Sequence, residues 1–473
     1  DPFIWEQKGH SQYKLKQFKQ SANSYTESLR LHSDNVKIWI MKGMSLHMAE
    51  DYEGACGSYD MALTLEETNM AALVNKRQSL KKLERHQDII DSANKVLDIS
   101  PNDRNALLDK ARALAALGEH EKALINLDIA LDLNPRDLEL LIEKKVSLKN
   151  LARHDAIVKV CDRILHIDHK NIQAYFDKAA ALFELKRYQQ SIHALDRLLS
   201  IDPEHLSAMT KKREALKMLG HHLDIVKVAD ELLKYSPEDK DALMDKAVAL
   251  FNIPKYPDAV KVLDRYLSIY NDDAVAWNLK GHAQARQNQQ LEAIESYDKA
   301  IAIDPEQKVF HDLKGRSLSR LERFQEAIAE FEKAIQLDPN DPELWYSKGL
   351  SHQEMKDYEE AVASFDKSIR FKPEDKNFWY SKGLALSCLE HYDDAIAALD
   401  KAIEYGPSDR FPYLKKADIY MTTNSYQEAV EATDKLLAMN HMDLEALIRK
   451  KEALKSLEDS QGIVEICRRI TKI

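Results

Sequence analysis

At 473 residues the chain is too long for one ordinary globular core, so it must divide into several domains or into a repeat array. Charged residues make up 31% and hydrophobic residues 44%, with few glycines and prolines, the profile of a helix-rich protein. A net charge of −11 argues against a broad phosphate-binding surface, and no apolar run is long enough to span a membrane.

The chain counts in thirty-fours. With position 1 at Pro2, units begin at Val36, Met70, Arg104, Leu138, Ile172, Leu206, Lys240, Ala274, Lys308, Pro342, Lys376, Arg410 and Leu444, fourteen in all without insertion or deletion. Trp5, Trp39, Trp277, Trp345 and Trp379 all fall at position 4, and position 7 is Lys from Lys8 through Lys450. Gly recurs at position 8 and Pro at position 32. Each unit reads as two helices. In repeat 11, Asp341 caps the first, Pro342 and Glu343 occupy its first turn, and Trp345, Gly349 and His352 follow at helical spacing. After a polar turn, Tyr358, Ala361, Val362, Phe365 and Ile369 mark the apolar stripe of the second helix, which Pro373 closes.

This pattern, Trp-x2-Lys-Gly followed by Tyr-x2-Ala, Phe-x2-Ala or Ser, and Pro, resembles the tetratricopeptide repeat (TPR) family over essentially the whole chain. The family usually has Leu at position 7, where this chain always has Lys. The resemblance implies an all-α fold, a right-handed alpha-alpha superhelical solenoid of antiparallel helix pairs.

In chain order, residues 1–69 hold repeats 1 and 2. Residues 70–273 hold repeats 3 to 8, which alternate as a 68-residue super-repeat. Its odd members place Arg77, Lys145 and Arg213 at position 8, Ile at position 20, and Ala93, Cys161 and Ala229 at position 24. Bulk is moved there rather than added, as a close-packed core requires. Residues 274–409 hold the consensus-like repeats 9 to 12. Residues 410–473 hold repeats 13 and 14, the last cut short, with Lys451 and Cys467 in the odd pattern. The differing classes lead us to expect a change of curvature along the array.

No phosphate loop, catalytic triad motif or metal-spaced Cys/His set appears, so no enzymatic activity, cofactor or metal is expected. His86, His120, His154 and His222 all stand at position 17, where other repeats have Tyr or Phe, and read as structural. Ten repeats carry Asp at position 25, so the Lys at position 7 reads as one rail of a Lys–Asp ladder. The spacing of the four cysteines suits neither a disulfide framework nor a zinc site, and fits a reducing, cytoplasmic compartment. Cys161 and Cys467 are expected to be buried, Cys388 accessible.

By the resemblance, positions 2, 5, 9, 12 and 13 of the first helix line a concave groove. Repeat 2 offers Ile40, Met44, His47 and Met48 there, an apolar patch suited to a partner helix. Repeats 9 and 10 offer Asn278, His282, Arg286, Asp312, Arg316, Ser319 and Arg320, and repeats 11 and 12 add Tyr346, Leu350, Tyr380 and Leu384. Arg beside Tyr is the composition favoured at binding hot spots. The family's clamp for the acidic tails of heat-shock chaperones needs Lys at position 5, which no repeat has. The expectation is a non-enzymatic scaffold that binds a protein segment or partner helix in the groove. The alternatives are an RNA-binding helical-repeat protein, against which the acidic balance counts, and the regulatory part of a larger enzyme. Phe3, Ile4, Ile470 and Ile473 leave the array without polar caps, which suggests a fragment of a longer protein or end-to-end self-association.

Overall fold

The computed structural model describes residues 1–471. Among them are twenty-eight α-helices and no strand, from Pro2–Lys14 and Phe18–Leu31 to Leu444–Ser456 and Ser460–Ile470. Each repeat supplies an A helix over positions 1–13 and a B helix over positions 17–30; only the A helix Leu206–Leu219 and the final B helix depart from this.

Local chemistry sets the ends. The Asp or Asn before most A helices turns its side chain onto the first free backbone N–H groups. Asp103 accepts from Ala106 N–H at 2.7 Å and Asp341 from Glu343 N–H at 3.0 Å. Each such cap is worth about 1 kcal/mol. The A helix stops where position 15 turns left-handed, with φ of 53° at Glu84, 50° at Ala152 and 80° at Gly118. That turn lets the next amides return to the helix: Lys186 N–H donates to Phe183 C=O at 2.8 Å and Arg187 N–H to Leu182 C=O at 2.9 Å.

The helices form two compact units, Asp1–Asp224 and Ile225–Ile473. Within each, most A helices pack on their own B helix, and most B helices on the following A helix. Neighbouring A helices also draw together, Cα to Cα within 8 Å, as Ala274–Arg286 does with Lys308–Arg320 and Lys308–Arg320 with Pro342–Glu354. Neighbouring B helices show no comparable approach. The A helices therefore line the inner side of each unit.

Within a repeat, positions 8 and 24 meet. A Cβ on Gly43 would stand 2.5 Å from the Tyr59 ring, and one on Gly349 2.6 Å from the Phe365 ring. Glycine is what lets the A helix come down onto a fully buried aromatic side chain, whose burial is worth roughly 1.5–3 kcal/mol. Where position 8 carries Arg77, position 24 is the small, buried Ala93, the compensation expected from the alternating sequence.

Between repeats, the Lys at position 7 reaches back to position 25 of the preceding repeat. Lys178 meets Asp162 at 2.5 Å, Lys280 meets Asp264 at 2.7 Å, Lys314 meets Asp298 at 2.7 Å, and Lys348 meets Glu332 at 2.7 Å. Lys76 pairs with Asp60, Lys144 with Asp128 and Lys416 with Asp400 in the same way. The Lys–Asp ladder is thus a splint from one hairpin to the next. Lys42, for which position 25 of the preceding repeat is Thr26, is instead pushed down by burial.

The same six residues stand at Trp345–Leu350 and Trp379–Leu384, and three of them tie the repeats together. Trp345 Nε1 donates to the Pro339 carbonyl at 2.9 Å and Trp379 Nε1 to the Pro373 carbonyl at 2.7 Å, each fastening its helix to the preceding loop. The Lys completes the ladder, and the Gly admits the neighbouring side chain.

One expectation fails. Cys161 is buried, and burial pushes its thiol up to about 12, but Cys467 at the same position is exposed. The A helix Ile172–Glu184 packs against the helix that carries Cys161, whereas no described helix follows Ser460–Ile470.

Candidate functional site

The inner face of the second unit holds the larger set of sequence-proposed residues. Ala274–Arg286 carries Asn278, His282 and Arg286; Lys308–Arg320 carries Asp312, Arg316, Ser319 and Arg320. Pro342–Glu354 adds Tyr346 and Leu350, and Lys376–Cys388 adds Tyr380 and Leu384. Successive A helices approach one another here, so these side chains form one continuous face.

The cations on it are not alike. Arg316 is already engaged by Asp312, Nε to Oδ1 at 2.8 Å. Burial raises the Asp312 carboxyl and Arg316 opposes that rise. Arg286 and Arg320 are exposed and have no ion pair or hydrogen bond among the described residues. Both act on His282, whose pKa is lowered first by burial and then by these two guanidinium groups. His282 also packs against the Phe251 ring at 4.7 Å, and Asn278 Oδ1 is buried with no hydrogen-bond partner.

Next to the cations lies an apolar and hydroxyl-bearing stretch. A crevice of about 530 Å³ is lined by Arg316, Ser319, Arg320, Phe331, Leu350 and Glu354. Ser319 Oγ and Ser351 Oγ stand 3.1 Å apart across its floor. Tyr346 packs against Phe365 and Phe378 and its hydroxyl reaches Ser381 Oγ at 3.2 Å. Tyr346, Leu350, Tyr380 and Leu384 are all half-buried, and burial raises both tyrosine hydroxyls. Cys388, at the end of the same face, is exposed.

The smaller set, Ile40, Met44 and Met48, lies on Val36–Met48 in the first unit. Ile40 and Met44 are half-buried and Met48 is exposed. His47 beside them is bound to Ser79 Oγ through Nδ1 at 2.8 Å, and its pKa is lowered by burial and then by Lys82. Its imidazole is therefore part of a repeat junction rather than a free contact. Phe3 and Ile4 are exposed, Ile470 is half-buried, and Ile473 lies outside the described residues.

One feature escaped the sequence reading. Arg77 is 1% exposed, and its Nε donates to Asp109 of the next repeat at 2.8 Å; Lys81 joins the same carboxylate at 2.7 Å. Two repeats later Lys145 and Lys149 hold Asp177 at 2.6 and 2.9 Å. Burial would raise the Asp177 carboxyl, and the two ammonium groups outweigh it and bring it below the usual carboxylate value. The signal was present in the chain: Asp stands at position 6 in repeats 4, 6 and 8, each directly after a repeat with Arg or Lys at position 8.

Among the described residues no group of three or more His, Cys, Asp or Glu side chains could hold a metal ion. His86, His120 and His154 each begin the B helix of their repeat. No described helix is long and apolar enough to cross a membrane.

No curated protein matches the chain. Among solved structures it is similar to the Cut9–Hcn1 hetero-tetramer of APC/C, at 16% identity over 96% of this chain and 96% of that one, TM-score 0.37. It is similar to the C-terminal part of a TPR repeat-containing protein from Cytophaga hutchinsonii, at 20% identity over 50% of this chain and 97% of that one, TM-score 0.46. It is also similar to Naa15/Naa10 bound to HypK-THB, at 14% identity over 100% of this chain and 94% of that one, TM-score 0.39. Tetratricopeptide repeat families match residues 7–69, 172–205, 226–274, 274–307, 342–375 and 380–441, and a TPR repeat family matches residues 315–356. Three of these matches begin at Ile172, Ala274 and Pro342, the first residues of repeats 6, 9 and 11. With two helices in every repeat and these family matches spread along it, the chain belongs to the tetratricopeptide repeat family.

Proposed function

We propose that the chain is a protein-interaction scaffold of a reducing, cytoplasmic compartment, and that it receives a peptide segment or partner helix on the A-helix face of its second unit. The reading rests on one observation: two exposed guanidinium groups without an ion pair, Arg286 and Arg320, stand on neighbouring A helices, and Arg320 lines a crevice with Leu350 next to the half-buried Tyr346 and Tyr380. Tyr provides a large contact area with few rotamers to fix, and Arg a planar fork of donors, which suits both to anchoring a partner. The task is recognition without bond-making. The four cysteines are free, in keeping with such a compartment.

Panning a twelve-residue peptide display library on the full chain tests this. Enriched peptides should lose binding on a Tyr346→Ala/Leu350→Ala/Tyr380→Ala variant that keeps its helical circular dichroism. They should bind normally to a Lys261→Ala/Lys299→Ala variant altered on B helices. Peptides that respond only to the B-helix variant would overturn the reading.

A further inference from the structure

We propose that repeats 9 to 11 form a receptor for an acidic, extended peptide carrying two carboxylate side chains three residues apart. One carboxylate sits on Arg286, the other on Arg320, and an apolar side chain of the peptide enters the Leu350 crevice. The inference rests on the groove reading above and adds the chemistry and spacing of the ligand.

Three observations carry it. Arg286 and Arg320 occupy the same position in successive repeats, on A helices that approach within 8 Å at their Cα atoms. Both guanidinium groups are exposed without an acid, although Arg316, one turn before Arg320, is held by Asp312 and other arginines, such as Arg104, Arg323 and Arg410, are paired. The crevice beside Arg320 is lined by half-buried Leu350 among serines, with the buried Phe331 ring behind them.

Spacing fixes the ligand pattern. Packed helices stand ~8–10 Å apart. In a polyproline II segment, side chains i and i+3 share a face and are ~9 Å apart. Acid-x-x-acid therefore meets both arginines at once, whereas adjacent acids meet only one. Guanidinium groups are suited to this because they grip a carboxylate through two parallel N–H donors.

The same surroundings favour a peptide over a nucleic acid. Glu322 and Glu354 line the crevice and would repel a continuous phosphodiester, and the chain as a whole is acidic. A peptide can present carboxylates at two points and an apolar group between or beyond them.

The test is fluorescence anisotropy on the full chain. The probes are labelled ten-residue peptides of one composition: Glu at i and i+3 with a flanking Leu, the Gln counterpart, and Glu at i and i+1. A ten-nucleotide oligouridylate is the fourth probe. The i,i+3 acid peptide is expected to bind at least tenfold more tightly than the other two peptides and the oligonucleotide. Its advantage should vanish on Arg286→Gln/Arg320→Gln and shrink as salt rises. Equal binding of the Glu and Gln peptides, no binding of the i,i+3 peptide up to millimolar protein, or tighter binding of the oligonucleotide would each overturn the inference. If peptides bind regardless of charge but weaken on Tyr346→Ala/Leu350→Ala, the groove reading stands and the charge assignment falls. If neither variant changes any affinity, both fall.

Discussion

Arg77 reaches from one repeat into the next and lays its Nε on Asp109 Oδ2 at 2.8 Å, with both side chains buried and Arg77 Nη1 left without a partner. A buried pair of this kind is costly to break from one side, because the survivor is a charge without compensation. Asp109→Asn is therefore expected to lower stability by about 3–5 kcal/mol, read by urea unfolding followed by circular dichroism. Arg77→Met/Asp109→Leu should cost far less and can exceed the parent. Equal losses in the single and double variants would show that the pair is not what holds this junction.

The contact between positions 8 and 24 makes a second prediction. Gly349→Ala places a methyl group 2.6 Å from the Phe365 ring, so one of the two must move. Overpacking of this sort costs roughly 1–3 kcal/mol. Adding Phe365→Leu to Gly349→Ala should recover part of the loss of thermal stability. A Gly349→Ala protein that melts with the parent would mean that the A and B helices are not in close contact here.

Repeat 10 supplies a pH test. Glu330 is buried, which alone would raise its carboxyl, but His311, Lys314 and Lys333 outweigh that and hold it at about 2. A carboxyl depressed when folded stabilises the protein above its unfolded value, near 4.5, and that contribution is lost as pH falls towards about 2. Stability should thus drop more steeply between these limits in the parent than in Glu330→Gln, which should be less stable at neutral pH. Parallel acid profiles would contradict the assignment.

Ala152 occupies the left-handed turn between its helices at φ 50°, the position at which Gly118 and Gly220 have no Cβ to accommodate. A left-handed conformation costs an L-residue roughly 1–2 kcal/mol, and glycine avoids this at the expense of greater freedom when unfolded. Ala152→Gly is expected to raise stability by about 0.5–1 kcal/mol, seen as a higher midpoint in urea. A lower midpoint would show that the turn is not strained.

Much of this architecture was legible because it is local or strictly periodic. A 34-residue interval, a cap such as Asp341 and the exchange of bulk between Gly349 and Phe365 are each visible within one repeat. The Lys–Asp ladder is readable as two matching columns, but the sequence does not show that Lys residues such as Lys280 and Lys314 reach the preceding repeat. The Arg77–Asp109–Lys81 cluster went unread because its members lie in different repeats and different columns, and because Arg is seldom so deeply buried. At the site, Arg286, Arg316 and Arg320 read as three equal cations; only the structure distinguishes Arg316, held by Asp312, from the two that are unpaired. Burial at position 24 depends on the packing around each helix as well as on the column, which is why Cys161 is buried and Cys467 exposed.

We propose that recognition takes place on the inner, A-helix face of the second unit. Hydrogen–deuterium exchange of the full chain, alone and with the i,i+3 acidic peptide, tests it most directly. Slowed exchange is expected in Ala274–Arg286, Lys308–Arg320 and Pro342–Glu354, with the intervening B helices Gln290–Ile303 and Phe324–Leu337 little changed. Protection confined to those B helices, or to the first unit, would contradict it.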